Sequence, residues 1–353
     1  TRLVDRSAFY FVPCANPDGR QNWFDLQSSP HSSRTGYRPT DDDRDGALDE
    51  DGPDDLDGDG SIGMMWRRDP NGTHRRSELD PNELERVDPL PRADGTIRRG
   101  DWSMAGMEGL DNDGDGQVNE DGPGGYDMNR NWPAGWNPDH VQGGAGDWPF
   151  SYPETDAIGR FIATKPNLAA GQAYHNTGGM ILRGPGVPQR EGAYAGDRPT
   201  YDAIARTGEQ MLPGYRSMVI HSDLYPVHGG FVNWLAESLG VVSFTNELWT
   251  EKRISQNGGD PSPQARDIWQ DHVLFGQTKS PLKEVDHPTL GKVLVGGGTK
   301  WSSRIPPAFM LEEECHRNMA FTLFHANEMP RVSMGPSLVR RLGIDDSTTV
   351  VFY

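Results

Sequence analysis

The sequence predicts an α/β fold in which a mostly parallel central sheet carries helices on both faces. Three observations support this. The runs at 168–174 and 241–245 have strand length and read as buried strands. Helical apolar stripes alternate with them along the chain. The two runs lead directly into His175 and Glu247, and the carboxyl ends of strands in an open α/β sheet are where ligands bind.

Each element has its own sequence signal. Residues 8–12 (Ala-Phe-Tyr-Phe-Val) read as a short buried strand stopped by Pro13, and Asn16-Pro17-Asp18-Gly19 is a turn. The chain starts almost on that strand, as though the domain were entered midway. Residues 63–107 read as irregular apart from a short strand at 64–68. Ser151-Tyr152-Pro153-Glu154 has the spelling of a capping box with Pro in the first turn, and Ala157, Ile158, Phe161 and Ile162 continue it as a helix. Further helices are expected at 201–212, at 231–239 with Gly240 closing it, and at 307–326. Residues 330–353 change character and read as the start of a C-terminal β segment, leaving 1–329 as the main domain.

The formal charge of −18 over 353 residues argues against nucleic acid as a partner. That charge is local: residues 41–60 hold eleven acids and one Arg, 108–121 hold six acids and no base, and the rest of the chain is close to neutral. No segment approaches the ~18 apolar residues of a membrane helix, and no signal region opens the chain. Cys14 and Cys315 are the only cysteines and read as buried thiols rather than a disulfide.

The acidic segments are an internal repeat. Residues 41–53 align with 111–123 at eight identical positions of thirteen, and Asp55, Asp57 and Asp59 begin a third, partial copy. Acids at positions 1, 3 and 5, Gly at 6 and an apolar residue at 8 form the front half of a calcium loop, in which alternate carboxylates converge on a hard cation. The expected calcium ligands are Asp41, Asp43 and Asp45; Asp55, Asp57 and Asp59; and Asp111, Asp113 and Asp115. Position 12 is Gly52 or Gly122, so Glu50, Asp51, Glu120 or Asp121 would have to complete a shell. Without a cation the same residues are a solvated acidic loop.

The densest stretch of chemistry is 125–132, Gly-Tyr-Asp-Met-Asn-Arg-Asn-Trp. With Asn16-Pro17-Asp18-Gly19, Pro153-Glu154-Thr155, Tyr174-His175 and Ser243-Phe244-Thr245-Asn246-Glu247-Leu248, it forms an ordered series that resembles the landmarks of the zinc metallocarboxypeptidases, the family of pancreatic carboxypeptidases A and B. The resemblance runs over about 8–327, with long Asp/Gly-rich insertions at about 36–70 and 101–123. It implies a mixed, mostly parallel central sheet and a zinc-dependent enzyme that hydrolyses the C-terminal bond of a peptide or protein. By the same resemblance His175 is a zinc ligand, Glu247 the base acting on the attacking water, and Asn129 with Arg130 the grip on the substrate carboxylate. Asp127 would stand behind a metal histidine. Tyr225 would cap the substrate, Val232 would floor an apolar or unselective side-chain pocket, and Arg34, or nearly as well Arg38, would stabilise the oxyanion. Charge and geometry suit these roles: Arg binds carboxylates bidentately and neutral imidazole suits Zn²⁺.

The chain departs from the family where its first two zinc ligands, from a His-x-x-Glu motif, should precede the opening strand. The only such spelling here is at His325 and Glu328 in the last helix. One histidine does not make a catalytic zinc site. The expectation is therefore an N-terminally incomplete, bacterial-type member, inactive alone and completed by a separate N-terminal segment. It would be secreted or periplasmic, because weak calcium sites fill only where calcium is millimolar. The alternatives are a non-catalytic, calcium-stabilised pseudo-peptidase that binds peptide C-termini, and an amidase acting on cell-wall peptides.

Overall fold

Neighbouring positions on one strand divide the layers of this protein. Ile181 and Leu182 are both buried and, being consecutive in a strand, point to opposite faces of the sheet. Ile181 packs with Tyr201, Ile204, Phe244 and Phe321, whereas Leu182 packs with Ile220, Val227 and Val232. The computed structural model describes residues 3–329 except 26–38, 40, 42, 43, 79, 88, 89, 92, 98, 122–124, 256–258, 260, 277, 278, 302 and 303. Asp43, Arg34, Arg38 and the C-terminal β segment at 330–353 lie outside the described residues.

The described helices and strands, in chain order, begin with helix α1 (Pro17–Asp25) and strands β1 (Met64–Gly72), β2 (His74–Arg76), β3 (Leu84–Arg86) and β4 (Gly100–Met107). Helix α2 (Pro153–Ala163) precedes strands β5 (Ala170–Asn176) and β6 (Met180–Arg183), then helices α3 (Glu191–Tyr194) and α4 (Arg198–Met211). Strand β7 (Arg216–Val219), helix α5 (Phe231–Leu239), strand β8 (Val242–Leu248) and helix α6 (Pro263–His272) follow. The hairpin β9 (Lys279–His287) and β10 (Gly291–Gly298) and the long helix α7 (Ala308–Glu328) complete the series.

The central sheet has the order β5-β8-β6-β7. Strands β5 and β8 are parallel, β6 and β7 are parallel, and β6 runs antiparallel to β8, so the sheet is mixed and mostly parallel. Helices α4 and α7 cover one face through Tyr201, Ile204, Ala205 and Phe321. Helices α2 and α5 cover the other through Ile158, Ile162, Trp234 and Leu235 around Trp132. This is the layered α/β architecture expected, and α5 spans the expected residues with Gly240 in the left-handed conformation at its end. Trp132 stacks on Trp234 at 5.0 Å and meets the Phe150 ring edge at 5.5 Å, so the landmark stretch is anchored in the core by aromatic packing.

Four expectations fail locally. Residues 8–12 form no strand, and Phe11 is 80% exposed. A five-residue apolar run has no fold of its own, and among the described residues no strand ladders with it. Residues 63–107 are not irregular. Strands β1–β4 join the hairpin β9–β10 in a six-stranded antiparallel sheet ordered β3-β2-β4-β1-β10-β9, with Met65, Val293 and Val295 at its core. The strand expected at 64–68 is the start of β1, but the sheet around it was hidden because its partners β4 and β10 lie far along the chain. The helix at 153 is capped by Tyr152, with no side-chain cap; Ser151 Oγ instead accepts a bond from Asn131 Nδ2 at 2.8 Å. Finally, Cys14 and Cys315 are both exposed and unbridged, not buried.

Candidate active site

The parallel register of β5 and β8 sets His175 directly opposite Glu247, with His175 Nδ1 3.7 Å from Glu247 Oε1. Both sit at the carboxyl ends of their strands. The Glu247 side chain is the more enclosed of the two, at 15% exposure against 34% for His175. A hydrogen-bonded frame fixes the backbone just beyond them. Gly179 N donates to Glu247 O at 3.0 Å, and Gly178 N and Thr177 Oγ1 donate to Trp249 O at 2.9 and 3.0 Å. Behind the strand, Trp249 N donates to the Tyr215 hydroxyl and to Glu314 Oε1, both at 3.0 Å. Arg253 Nη1 holds Glu314 Oε2 at 2.7 Å, and Asn246 Nδ2 donates to Asn318 Oδ1 at 2.8 Å. Burial, and then the Glu314 carboxylate, push the Tyr215 hydroxyl well above its ordinary pKa, so it remains a neutral donor.

The stretch 125–132 enters the same cleft as a tight turn. Asp127 Oδ1 accepts the amide of Asn129 at 2.8 Å, capping a short 3-10 turn over Met128–Arg130. Arg130 is buried at 6% exposure, with its Nη1 2.8 Å from Asn129 O and 3.7 Å from Asp127 Oδ2. Asn129 Oδ1 accepts the Phe231 amide at 2.9 Å and so ties the turn to the first residue of α5. Gly229 makes this approach possible: at φ +65° a Cβ there would lie 2.0 Å from Arg130 O. Tyr225 follows an irregular turn over Ile220–Leu224 and is 47% exposed at the rim.

Asp127, Asn129, Arg130, His175, Tyr225, Val232 and Glu247 line one open cleft. Residues spread over more than a hundred positions of sequence are thereby brought together. Its floor is apolar at Leu182, Ile220, Val227 and Val232, with Asn233 and Thr245 as additional lining that sequence reasoning missed. Nothing in the sequence marks Asn233 and Thr245 apart from their adjacency to Val232 and Glu247. A second omission is Asn131, fully buried, which ties the turn to the N-terminus of α2. The alternative His-x-x-Glu spelling contributes nothing here: His325 packs against Phe244 at 5.1 Å in the core, and burial lowers its pKa to about 4.

Zinc makes a specific demand on the cleft's donor set. The cleft offers one imidazole, His175, with the Glu247 carboxylate beside it and the Asp127 carboxylate elsewhere in the lining, and no group of three metal-ligating side chains forms there among the described residues. A catalytic zinc needs three protein ligands, so these residues do not by themselves fit the ion.

The acidic segments do bring carboxylates together, in a pattern different from the sequence expectation. Asp111, Asp113 and Asp115 converge as their spacing predicts. Asp55 and Asp57 converge with Glu108 instead of Asp59, whose carboxylate bonds Ser61 N and Ser280 Oγ. Asp51, Asp113 and Glu120 form a third group. Asp41 and Asp45 join none of these groups. Among the described residues no helix is long and apolar enough to cross a membrane.

A family model described as zinc carboxypeptidase matches residues 94–272. Solved structures also match. A carboxypeptidase A from Helicoverpa armigera is 26% identical at a TM-score of 0.30, over 35% of this chain and 32% of that one. Thrombin activatable fibrinolysis inhibitor is 22% identical at 0.29, over 36% and 35%. The bovine form of that inhibitor, in complex with a tick carboxypeptidase inhibitor, is 14% identical at 0.33, over 58% and 56%. The chain thus spans about a third of the length of the first two. No protein of curated function matches it.

Proposed function

This chain belongs to the zinc carboxypeptidase family, whose model matches just over half of its residues, and from that premise we propose that it acts as a metallocarboxypeptidase on peptide C-termini. The observation behind this reading is the convergence of Arg130, Asn129, Tyr225 and Glu247 on a single cleft around His175. Zinc is what the family implies. Since His175 is the lone histidine lining the cleft among the described residues, the remaining ligands would come from a separate N-terminal segment, and no step is assigned to the ion here.

The chain's own residues account for the rest. The buried Arg130 guanidinium takes the terminal carboxylate of the substrate, with Asn129 beside it, and Asp127 holds the turn that presents both. Val232 and its apolar neighbours receive the last side chain, and Tyr225 at the rim folds over it. Glu247 removes a proton from the attacking water and delivers it to the departing amine. Arg34 is proposed as the oxyanion donor. The acidic repeats are proposed to bind calcium and to stiffen the loops that lead into residue 125, which would place the protein in a calcium-rich, secreted or periplasmic setting.

Hydrolysis of blocked dipeptides by the full-length protein tests the reading. Glu247→Gln should lower kcat/KM by about 10²–10⁴-fold while peptide binding persists; a variant at wild-type rate would refute the mechanism. A second reading, a non-catalytic binder of peptide C-termini, is favoured by the single cleft histidine, and no turnover by either protein, with Arg130-dependent peptide binding, would establish it.

A further inference from the structure

Two polar side chains interrupt the apolar floor of the cleft. Asn233 follows Val232 in the first turn of α5 and is 2% exposed. Thr245 is 4% exposed and stands two residues before Glu247 on β8, on the same face of that strand. Both line the cleft.

Glycines make the space for the Asn233 amide. A Cβ on Gly184 would lie 2.7 Å from Oδ1, one on Gly230 would lie 2.8 Å from Nδ2, and one on Gly186 would also collide with Nδ2. Despite that enclosure Oδ1 accepts no hydrogen bond, and among the described residues neither the Asn233 amide nor the Thr245 hydroxyl has a hydrogen-bond partner. Folded proteins pair nearly all of their buried polar groups. A side-chain amide given its own space at a cleft, and left without a partner, therefore points to a ligand that supplies one. Rotation about χ2 can present either end of the amide. The surroundings set the charge of the ligand group. Helix α5 begins at Gly230 without a side-chain cap, so the positive end of its dipole opens on the cleft and disfavours an ammonium or guanidinium. Arg130 is the one Lys or Arg in the described lining, and the terminal carboxylate occupies it, which leaves a side-chain carboxylate no counter-charge.

We infer that Asn233 and Thr245 select the last residue of the substrate, and that the preferred residue carries a neutral amide side chain, glutamine or asparagine. This rests on the reading of the cleft as a site for peptide C-termini and narrows its apolar or unselective pocket to one chemical class. A primary amide both donates and accepts, so it can pair with the Asn233 amide in either orientation of the latter and with the Thr245 hydroxyl. Leu182, Val227 and Val232 then meet the methylenes that carry it.

The test is a set of blocked dipeptides that differ only in ending with Gln, Met, Glu or Lys. Hydrolysis by the full-length protein gives kcat/KM, and calorimetry with its Glu247→Gln variant gives affinity without turnover. Gln and Met have nearly the same length, so their ratio separates hydrogen bonding from size. Gln should exceed Met by about tenfold or more in whichever quantity is measurable, and should also exceed Glu and Lys. Asn233→Leu should bring the Gln-to-Met ratio down to about one, and Thr245→Val, a near-isosteric change, should lower it in the same direction. Met or Lys taken as well as Gln by the wild-type protein, or a ratio unchanged in both variants, would overturn the inference and leave the C-terminus reading standing. Failure of all four peptides to bind would overturn both.

Discussion

Asn131 is the best place to break the link between the substrate-facing turn and the sheet without touching the cleft. Its side chain is fully buried and makes five hydrogen bonds. Nδ2 donates to Ala145 O, Trp148 O and Ser151 Oγ at 2.7, 2.9 and 2.8 Å, and Oδ1 accepts from Tyr152 N and Thr155 Oγ1 at 3.2 and 2.7 Å. In Asn131→Ala most partners keep a second bond. Ala145 O still receives Trp136 Nε1, Trp148 O still receives Ser151 N, and the Thr155 hydroxyl can still donate to Tyr152 O. The Tyr152 amide loses the Asn131 Oδ1 acceptor in a buried position. Each of the five buried bonds lost is worth a net ~0.5–1.5 kcal/mol, and the smaller value applies where the partner keeps a second bond, so the expected destabilisation is about 3 kcal/mol. Urea unfolding measures it as a fall in midpoint at constant slope. Because Asn131 follows Arg130, the variant should also raise KM for blocked dipeptides more than it lowers kcat. A loss below about 1 kcal/mol, near the net worth of a single typical bond, would show that water or a shifted turn replaces the network and would refute the reasoning.

Two other changes follow from the same geometry. Arg130→Lys keeps the charge but loses the planar fork, so KM should rise at least tenfold with kcat changed less; unchanged KM would remove Arg130 from the clamp. His325 has a folded-state pKa of about 4 through burial, below its unfolded value of about 6.5. A depressed histidine gives stability that is complete above the unfolded pKa and is lost as pH falls through the folded one. Stability should therefore decline between about pH 6.5 and 4 by up to about 3 kcal/mol, and His325→Gln should flatten that limb in unfolding curves taken across the range; a parallel profile in the variant would exclude His325 as its source.

The candidate site was legible in the sequence to an unusual degree, and for local reasons. Asp127 caps its own turn two residues on, Asn129 and Arg130 sit within that turn, and His175 and Glu247 each close a strand, so short-range signals place all five. Helix α5 was equally readable, since its apolar spacing and the left-handed Gly240 are both encoded within ten residues. What failed depended on distant partners. Residues 8–12 have strand composition but ladder with no strand among the described residues, and although the strand at 64–68 was readable, the sheet it belongs to was not, because its other members lie at 100–107 and 279–298.

The sequence alone determined the layered α/β class, the polar ends of two strands and the existence of a repeated acidic loop. Each of these is written in periodicity, turn chemistry or spacing, which act over a few residues. Tertiary structure alone decided that His175 and Glu247 stand in register 3.7 Å apart, that Asn233 and Thr245 share their cleft, and that the two repeats face one another across the Asp51–Asp121 bridge. These are juxtapositions of segments far apart in the chain, set by which hydrophobic faces bury against one another, and no local pattern specifies them.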